Sequence, residues 1–507
     1  MSSGFLLLDE EAEMHFRWSK HVGVLLATAV SAILTVGVPQ SCALAEQSYQ
    51  SLTLDQCVEI ALAKYPPLKN QRENLLAAES AYRAARGDFR PVLHLNAAQD
   101  FGQRIPSTGE QRGTFASASV QKNFEYGGSL SVVGQTERDD RFASGQEYQS
   151  SVSVDFEQPL LEGFRRDVAA SNLKIAEINR DIAEIAVLDA TRLHILTVTE
   201  RYHRVIEAER LLQVQKEALQ RAHDSLERLK ALVAEGESPQ IDIATQELQV
   251  AGFEEQATQA ENTHDSALIG LRLALGVPPE SAVSIARTPD LEVDFTPDEP
   301  PFASRQVDME DCKKKALERR LDYLQAKRAL EIRGIAVVTT RNVLLPDLSF
   351  FASLGLADTG SELNRAFHVN KGDWVTGLQF EVPIGLIRER EQYTQATISL
   401  RQAQNDLEQM RRQILNEVDD SVRFVKTLEL RLKSAYRAVK SAQLSGAGAG
   451  EKYDLGLISI FDRAESQAAL TNAEASYVSL FLSYKNALAR LDYVIAEPTE
   501  ERYGVRL

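Results

Sequence analysis

The 507-residue chain is short of the residue types on which most specialised chemistry depends: three cysteines, eight histidines, two tryptophans and four methionines. Its 56 lysines and arginines are outnumbered by 73 acidic residues. A formal charge of −17 argues against a nucleic-acid binder, which needs clustered cations to neutralise phosphates. So few cysteines exclude a disulfide-held scaffold. The histidines form no HExxH pair, and His194 and His203, nine residues apart, do not share the i, i+4 helix face that a metal pair uses. No serine or cysteine stands in a nucleophile elbow. The chain is therefore not expected to be an enzyme, with no catalytic residue, cofactor or metal ligand. Beyond residue 38 no apolar run approaches the roughly 20 residues of a spanning helix, so insertion into a membrane would have to use strands.

Glycine is concentrated at one place, "LSGAGAGEKYDLGLISIFDRAESQ" at 444–467. A glycine run ahead of Lys452 suggests a phosphate loop, but Tyr453 follows the lysine where Ser or Thr is required, and Glu451 stands where a dinucleotide fingerprint needs its third glycine. The run has to be explained as a break between helices.

One long apolar stretch is present, "VGVLLATAVSAILTVGV" at 22–38, behind Arg17 and Lys20 and ahead of Ala43-Leu44-Ala45. This pattern predicts an export signal over 1–45. The acidic "DEEAE" upstream suits no signal, so translation is expected to start at Met14. Removal of 1–45 leaves 54 basic and 69 acidic residues, a charge of −15, and takes Cys42 away. Cys57 and Cys312 remain, and small packing positions are expected for both.

These two cysteines expose an internal duplication. "TLDQCVEIALAKYPPLKNQ" aligns with "DMEDCKKKALERRLDYLQA" at an offset of 255, placing Cys57 on Cys312 and Pro91 on Pro346. "FEQPLLEGFRR" aligns with "FEVPIGLIRER" at 224, so the first half carries 31 extra residues in between. "AEGESPQIDIATQE" matches "DLGLISIFDRAESQ" at 220, placing Gly236 on Gly456 and Asp242 on Asp462. The break at 444–467 is thus one of two equivalent breaks.

Helical periodicity flanks both. Leu400, Ala403, Leu407, Met410 and Ile414 recur at steps of three and four, the spacing of coiled-coil packing. The predicted helices are 55–89, 160–234 and 240–275 in the first half, and 309–343, 384–454 and 460–495 in the second. Two short helices end to end match one long one, at about 1.5 Å per residue. Each repeat can therefore build two antiparallel rods of about 110 Å, reversed at Gly236 and Gly456, where glycine enters left-handed conformations without a Cβ penalty. Between the helices the period changes to two: Tyr148, Ser150, Val152, Val154 and Phe156 alternate with polar residues, as do Trp374, Thr376, Leu378, Phe380 and Val382. Such alternation fits a membrane barrel strand or a half-buried strand of a soluble sheet. A rod this long has no core of its own, and a few strands cannot close a barrel, so a symmetric oligomer is expected.

On "LTLDQCVEIALAKYPPL", "QPLLEGFRR" and "YDLGLISIFDRAESQAALTNAEASY", with the duplication in register, residues 52–496 resemble the TolC-like outer membrane efflux proteins. The resemblance implies a mainly α protein with a membrane β-barrel portion: two tandem repeats of long antiparallel coiled-coil helices plus strands, in a trimeric α-barrel/β-barrel tunnel. It implies repeats over 46–275 (strands 92–158) and 307–496 (strands 348–382), joined by a 276–306 linker and followed by a 497–507 tail. The family has four strands per chain, whereas "TFASASVQKNF" and "GGSLSVVGQTE" in the excess read as one more hairpin, giving six. The implied function is an exit duct of a tripartite efflux or type I secretion system, a passive conduit from periplasm to outside. Its partners would be a periplasmic adaptor, an inner-membrane pump and outer membrane lipid. A rival reading is an exported periplasmic coiled-coil scaffold without a pore. Adaptor contact is expected at Gly236, Leu455, Gly456, Leu457, Ile458 and Ser459. Asp242, Asp454 and Asp462, with Glu235 and Glu237 nearby, are candidates for a ring of carboxylates at a pore constriction.

Overall fold

The computed structural model describes residues 49–100, 113–139, 147–236, 239–286, 291, 305–360, 371–382 and 384–503. The expected export signal, Glu237, most of the 276–306 linker and residues 504–507 lie outside them.

The chain opens with β1 (Tyr49–Leu52) and then α1 (Leu54–Lys64), whose start is fixed by a capping box. Thr53 Oγ1 accepts from the Gln56 N–H while Gln56 Oε1 accepts from the Thr53 N–H. α2 (Pro66–Gly87) follows at once. The second repeat has the same pair, α6 (Met309–Arg319) and α7 (Leu321–Asn342), with 11 and 22 residues in each repeat.

Each helix expected over 55–89 and 309–343 is therefore two helices, and the causes differ. Tyr65 sits at φ −65°, ψ 116° because the ring of Pro66 crowds the residue before it out of the helical region. Its phenol ring stacks on His194 with centroids 3.8 Å apart. Arg320 adopts the same conformation, φ −65°, ψ 125°, with no proline after it. Its guanidinium instead donates to both carboxylate oxygens of Asp322, at 3.1 and 2.7 Å, and to Glu417 from the second long helix. The ion pair holds open a break that the proline imposes in the other repeat.

The long helices are α4 (Ser171–Ala234, 64 residues) and α8 (Ile387–Asp454, 68 residues), about 96 and 102 Å at 1.5 Å per residue. α4 starts later than the expected 160, because the preceding strand runs to Pro159 and a single turn, α3 (Arg166–Ala169), ends at Ala170 with φ −103°, ψ 21°. α5 (Ile241–Leu275) and α9 (Ile460–Val494) have 35 residues each. α4 packs on α2 and α5, α8 packs on α7 and α9, and contacts of α4 with α7 and α9 join the repeats. α8 buries Ile414, Val418, Val422, Val425, Leu432 and Tyr436 along one stripe.

The core thickens around the middle of the rods. There α1, α6, the parallel pair of β1 with β6 (Val283–Ile285) and a 3-10 turn (Thr499–Tyr503) wrap the long helices. Glu500 in that turn is buried and accepts from Arg192 Nε of α4 at 2.7 Å, and the Tyr503 hydroxyl donates to Asp55 of α1 at 3.0 Å. Cys57 and Cys312 fill equivalent buried places in α1 and α6 as free thiols, and burial pushes the Cys57 thiol up to about 12. His203 is buried 2.6 Å from Asn486 Oδ1, and burial lowers its basicity, as it does that of His194. Both histidines are packed into the core of the rods.

At one end of the rods lies a six-stranded antiparallel sheet, in the order β2 (Val92–Asp100), β3 (Gly113–Asn123), β4 (Ser129–Asp139), β5 (Glu147–Pro159), β7 (Asp347–Gly360) and β8 (Lys371–Glu381). Among the described residues no helix is long and apolar enough to cross a membrane.

Candidate functional site: a two-faced sheet and two helix reversals

The register of the sheet converts alternation along each strand into rows across all six. Leu93, Val120, Val132, Val154, Leu354 and Trp374 are consecutive cross-strand partners. The next row on the same face is Leu95, Ala118, Gly134, Val152, Leu356 and Gly372. Toward the helices the face continues through Phe156, Phe350, Leu378 and Phe380. No core packs on this face among the described residues, and Leu95, Trp374 and Phe380 are each more than 60% exposed. From Leu348 to Leu356 the apolar face extends about 26 Å along the strand, close to the height of a membrane's apolar band.

The opposite face is mainly polar, with Val133, Phe351 and Val375 among its side chains. Asn96, Ser117, Gln135 and Ser151 form one of its rows. Asp155 accepts from Ser153 at 2.8 Å and from Ser353 across the strand pair. Such a sheet can stand between hydrocarbon and water. β2 and β8 end it, leaving two strand edges with no partner among the described residues.

At the other end of the rods the chain reverses twice. α8 closes in a Schellman arrangement, with the Leu457 N–H donating to Lys452 O and the Gly456 N–H to Tyr453 O, both at 2.8 Å, and Gly456 at φ +71°. Gly236 follows α4 at φ +80°. Arg221 of α4 reaches Thr471 of α9 at 3.3 Å. Arg221 precedes Gly236 by 15 residues and Thr471 follows Gly456 by 15, so both reversals lie at the same end and at the same level.

Their chemistry is unequal. Leu455 and Leu457 are 73% and 69% exposed, the neighbouring Phe461 is 61% exposed, Ile458 is half-buried and Ile460 is buried. The first reversal presents Ile241 and the exposed Glu235. Ser459 caps α9: its hydroxyl oxygen accepts from the Asp462 N–H, while Asp462 accepts from the Ser459 N–H at 2.9 Å and from its hydroxyl at 2.8 Å. Those bonds hold the Asp462 carboxyl below its ordinary range. In the first repeat the place of Ser459 is taken by Pro239; Asp242 is half-exposed at the start of α5, and among the described residues no side chain caps that helix. Asp454 is the last residue of α8, and its side chain lies outside the described residues. Of the three carboxylates singled out in the sequence, Asp462 has a structural task. Phe461 extends the apolar tip, and its place beside "LGLIS" was the signal for it.

The glycine run does not break α8, which continues through Gly446, Gly448 and Gly450 to Asp454. A methyl group at Gly448 or Gly450 would meet open space. Between Val439 and the reversal, Ala449 is the only buried hydrophobic residue of α8 among the described residues. The last turns are thus both glycine-rich and thinly packed.

Residues 313–497, nearly all of the second repeat, match the model of the outer membrane efflux protein family. No curated protein matches the chain. Among solved structures the fold is similar to that of CusC, with TM-score 0.65 and 16% identity over 90% of this chain and 96% of that one; its crystal structures concern folding and transmembrane channel formation. It is similar to the outer membrane protein VceC of Vibrio cholerae, with TM-score 0.64 and 18% identity over 87% and 95%. It is also similar to the CmeC outer membrane channel of Campylobacter jejuni, with TM-score 0.65 and 15% identity over 93% and 97%. At these identities the likeness is one of fold.

Proposed function

We propose, for a chain whose second repeat matches the outer membrane efflux protein family and whose length takes the TolC-like fold, that it is the outer membrane exit duct of a tripartite efflux or secretion assembly. The observation that carries this reading is the sheet: one face mainly apolar, the other mainly polar, both edges without a partner among the described residues, mounted on helical rods of about 100 Å. A single copy leaves the apolar face and both edges without partners. Three copies edge to edge close the sheet into a barrel with the apolar face toward lipid and the polar face toward a water-filled lumen. The same symmetry gathers the rods into a tunnel. Leu248 and Leu273 of α5, and Leu430 and Leu444 of α8, are exposed apolar residues on the rods that neighbouring copies would cover.

The duct itself is passive: it holds no nucleotide loop, and an inner-membrane pump supplies the energy through a periplasmic adaptor. The apolar tip of Leu455, Leu457 and Phe461 is the adaptor's docking surface, and carboxylates near the reversals, Asp242 foremost, form the cation-favouring constriction. Cell fractionation tests the reading against the scaffold alternative. A duct is recovered from the outer membrane as a heat-modifiable trimer, whereas a tether without a pore is recovered as a soluble periplasmic rod.

A further inference from the structure

The 31 residues by which the first half exceeds the second contain most of the β3–β4 hairpin, and its role decides the width of the barrel. An insertion of this length could be a flap beside the wall or two further staves of it. Two independent observations separate these possibilities.

The first is the register. β3 pairs residue by residue with β2, from Val92 with Gln121 to Asp100 with Gly113. β4 pairs likewise with β5, from Ser129 with Glu157 to Asp139 with Glu147. Val120 and Val132 sit in the apolar row and Ser119 in the polar row next to it, so the hairpin carries the same two faces as its neighbours. A flap outside the wall would have no reason to keep that alternation in phase.

The second is the turn. The short 124–128 turn lies at the helix end of the sheet, level with the start of β2 and the end of β5. It is seated against the passage from β5 to α3. Gly127, at φ +97°, approaches so closely that a Cβ would stand 2.2 Å from the Gly163 carbonyl oxygen. Glu125 pairs with Arg166 of α3 at 2.9 Å, and Asn123 donates to the Asp88 carbonyl oxygen behind α2 at 3.4 Å. The turn of the hairpin is thus built into the wall's own base.

We propose that β3 and β4 are staves of the barrel and that three copies of this chain close an eighteen-stranded wall, the partner at each edge being a second copy pairing β2 with β8. The inference rests on the trimeric duct reading. At about 4.8 Å between strands and a tilt of about 40°, eighteen strands give a backbone diameter of about 36 Å, against about 24 Å for twelve. The cross-section is a little over twofold larger, in the range in which barrels keep an open aqueous channel. The mouth would then pass bulkier cargo than a twelve-stranded wall, leaving selection to the helical tunnel.

Nitroxide labelling of the full-length protein in phosphatidylcholine vesicles tests this, in a background with Cys42, Cys57 and Cys312 replaced by alanine. Single cysteines at Val120 and Val132 should be accessible to oxygen, and at Ser119 and Ser131 to a water-soluble nickel chelate, with the same alternation as Val154 and Ser153 of β5. Nickel access at all four hairpin positions, with β5 still alternating, would place the hairpin outside the wall and overturn the proposal while leaving the duct intact. Loss of alternation in β5 as well would remove the duct reading and the proposal with it. Electron cryomicroscopy of the unsubstituted trimer in nanodiscs gives an answer free of any variant: eighteen strands in the ring support the inference, and twelve reject it.

Discussion

The two repeats of this chain place their backbone breaks at matching positions and hold them by different chemistry. Between the short helices the first repeat uses Pro66 and the second the Arg320 ion pairs. At the reversals the first repeat has Pro239 where the second has Ser459 and its capping box. The first reversal is weakly apolar, and the second exposes Leu455, Leu457 and Phe461. Duplication has preserved the path of the chain, while the means of fixing it have been free to diverge. The second repeat carries polar devices at the break and an apolar surface at the tip.

The two repeats differ most in consequence at their tips. Leu457→Asp should reduce export by about 30-fold or more, the effect of losing one central anchor worth about 2 kcal/mol, with trimers intact on gels. Ile241→Asp in the first reversal should do much less. Equal losses would mean that the two tips are equivalent and that the exposed leucines have no special partner.

Next in size is the helix break. Arg320→Ala leaves Asp322 and Glu417 without their shared cation and should cost about 2–3 kcal/mol, read as a lowered unfolding midpoint. Pro66→Ala, which removes only a local restraint, should cost about 1 kcal/mol or less. A larger loss at Pro66 would reverse the assignment of which break depends on its side chain.

The glycine run offers a change of opposite sign. Replacing Gly446, Gly448 and Gly450 together by alanine should stabilise the end of α8 by up to about 1 kcal/mol per site. Measured in bilayers, the stiffened helix should also lower conductance. Unaltered conductance would remove the run from any gating role.

Smallest is the cap. Ser459→Ala should cost about 1 kcal/mol, and Pro239→Ser, which offers the start of α5 a capping hydroxyl, should return a similar amount to the first repeat. The cap also has a pH signature. Asp462 is more acidic folded than unfolded, so its contribution is complete above the unfolded value near 3.9 and is lost as pH falls through the folded value. In Ser459→Ala that acid-range loss should shrink. If cation preference resides in carboxylates at the tip, Asp242→Asn and Asp462→Asn should each weaken it, since the bonds from Ser459 keep Asp462 ionised.

Much of this architecture could be read from the sequence, because a duplication fixes positions twice. Gly236 on Gly456 located both reversals, and period-two alternation around Val154 and Trp374 located strands whose faces differ. The break at Tyr65 was also legible in principle, since Pro66 restricts the residue before it, but the short-helix periodicity runs through it without interruption. The break at Arg320 was not legible: it depends on Glu417, 97 residues away, which no local pattern connects to it. Asp462 shows the same limit at the site. Its charge suggests a pore ring, and only the placement of Ser459 three residues earlier, in capping geometry, gives it a capping task as well.

The central claim is that this chain forms an open path across a membrane. Purified full-length protein added to planar lipid bilayers, with no pump, adaptor or nucleotide present, measures it directly. Discrete cation-preferring conductance steps are expected. A protein that stays in solution, or that binds the bilayer without conducting, would contradict the account.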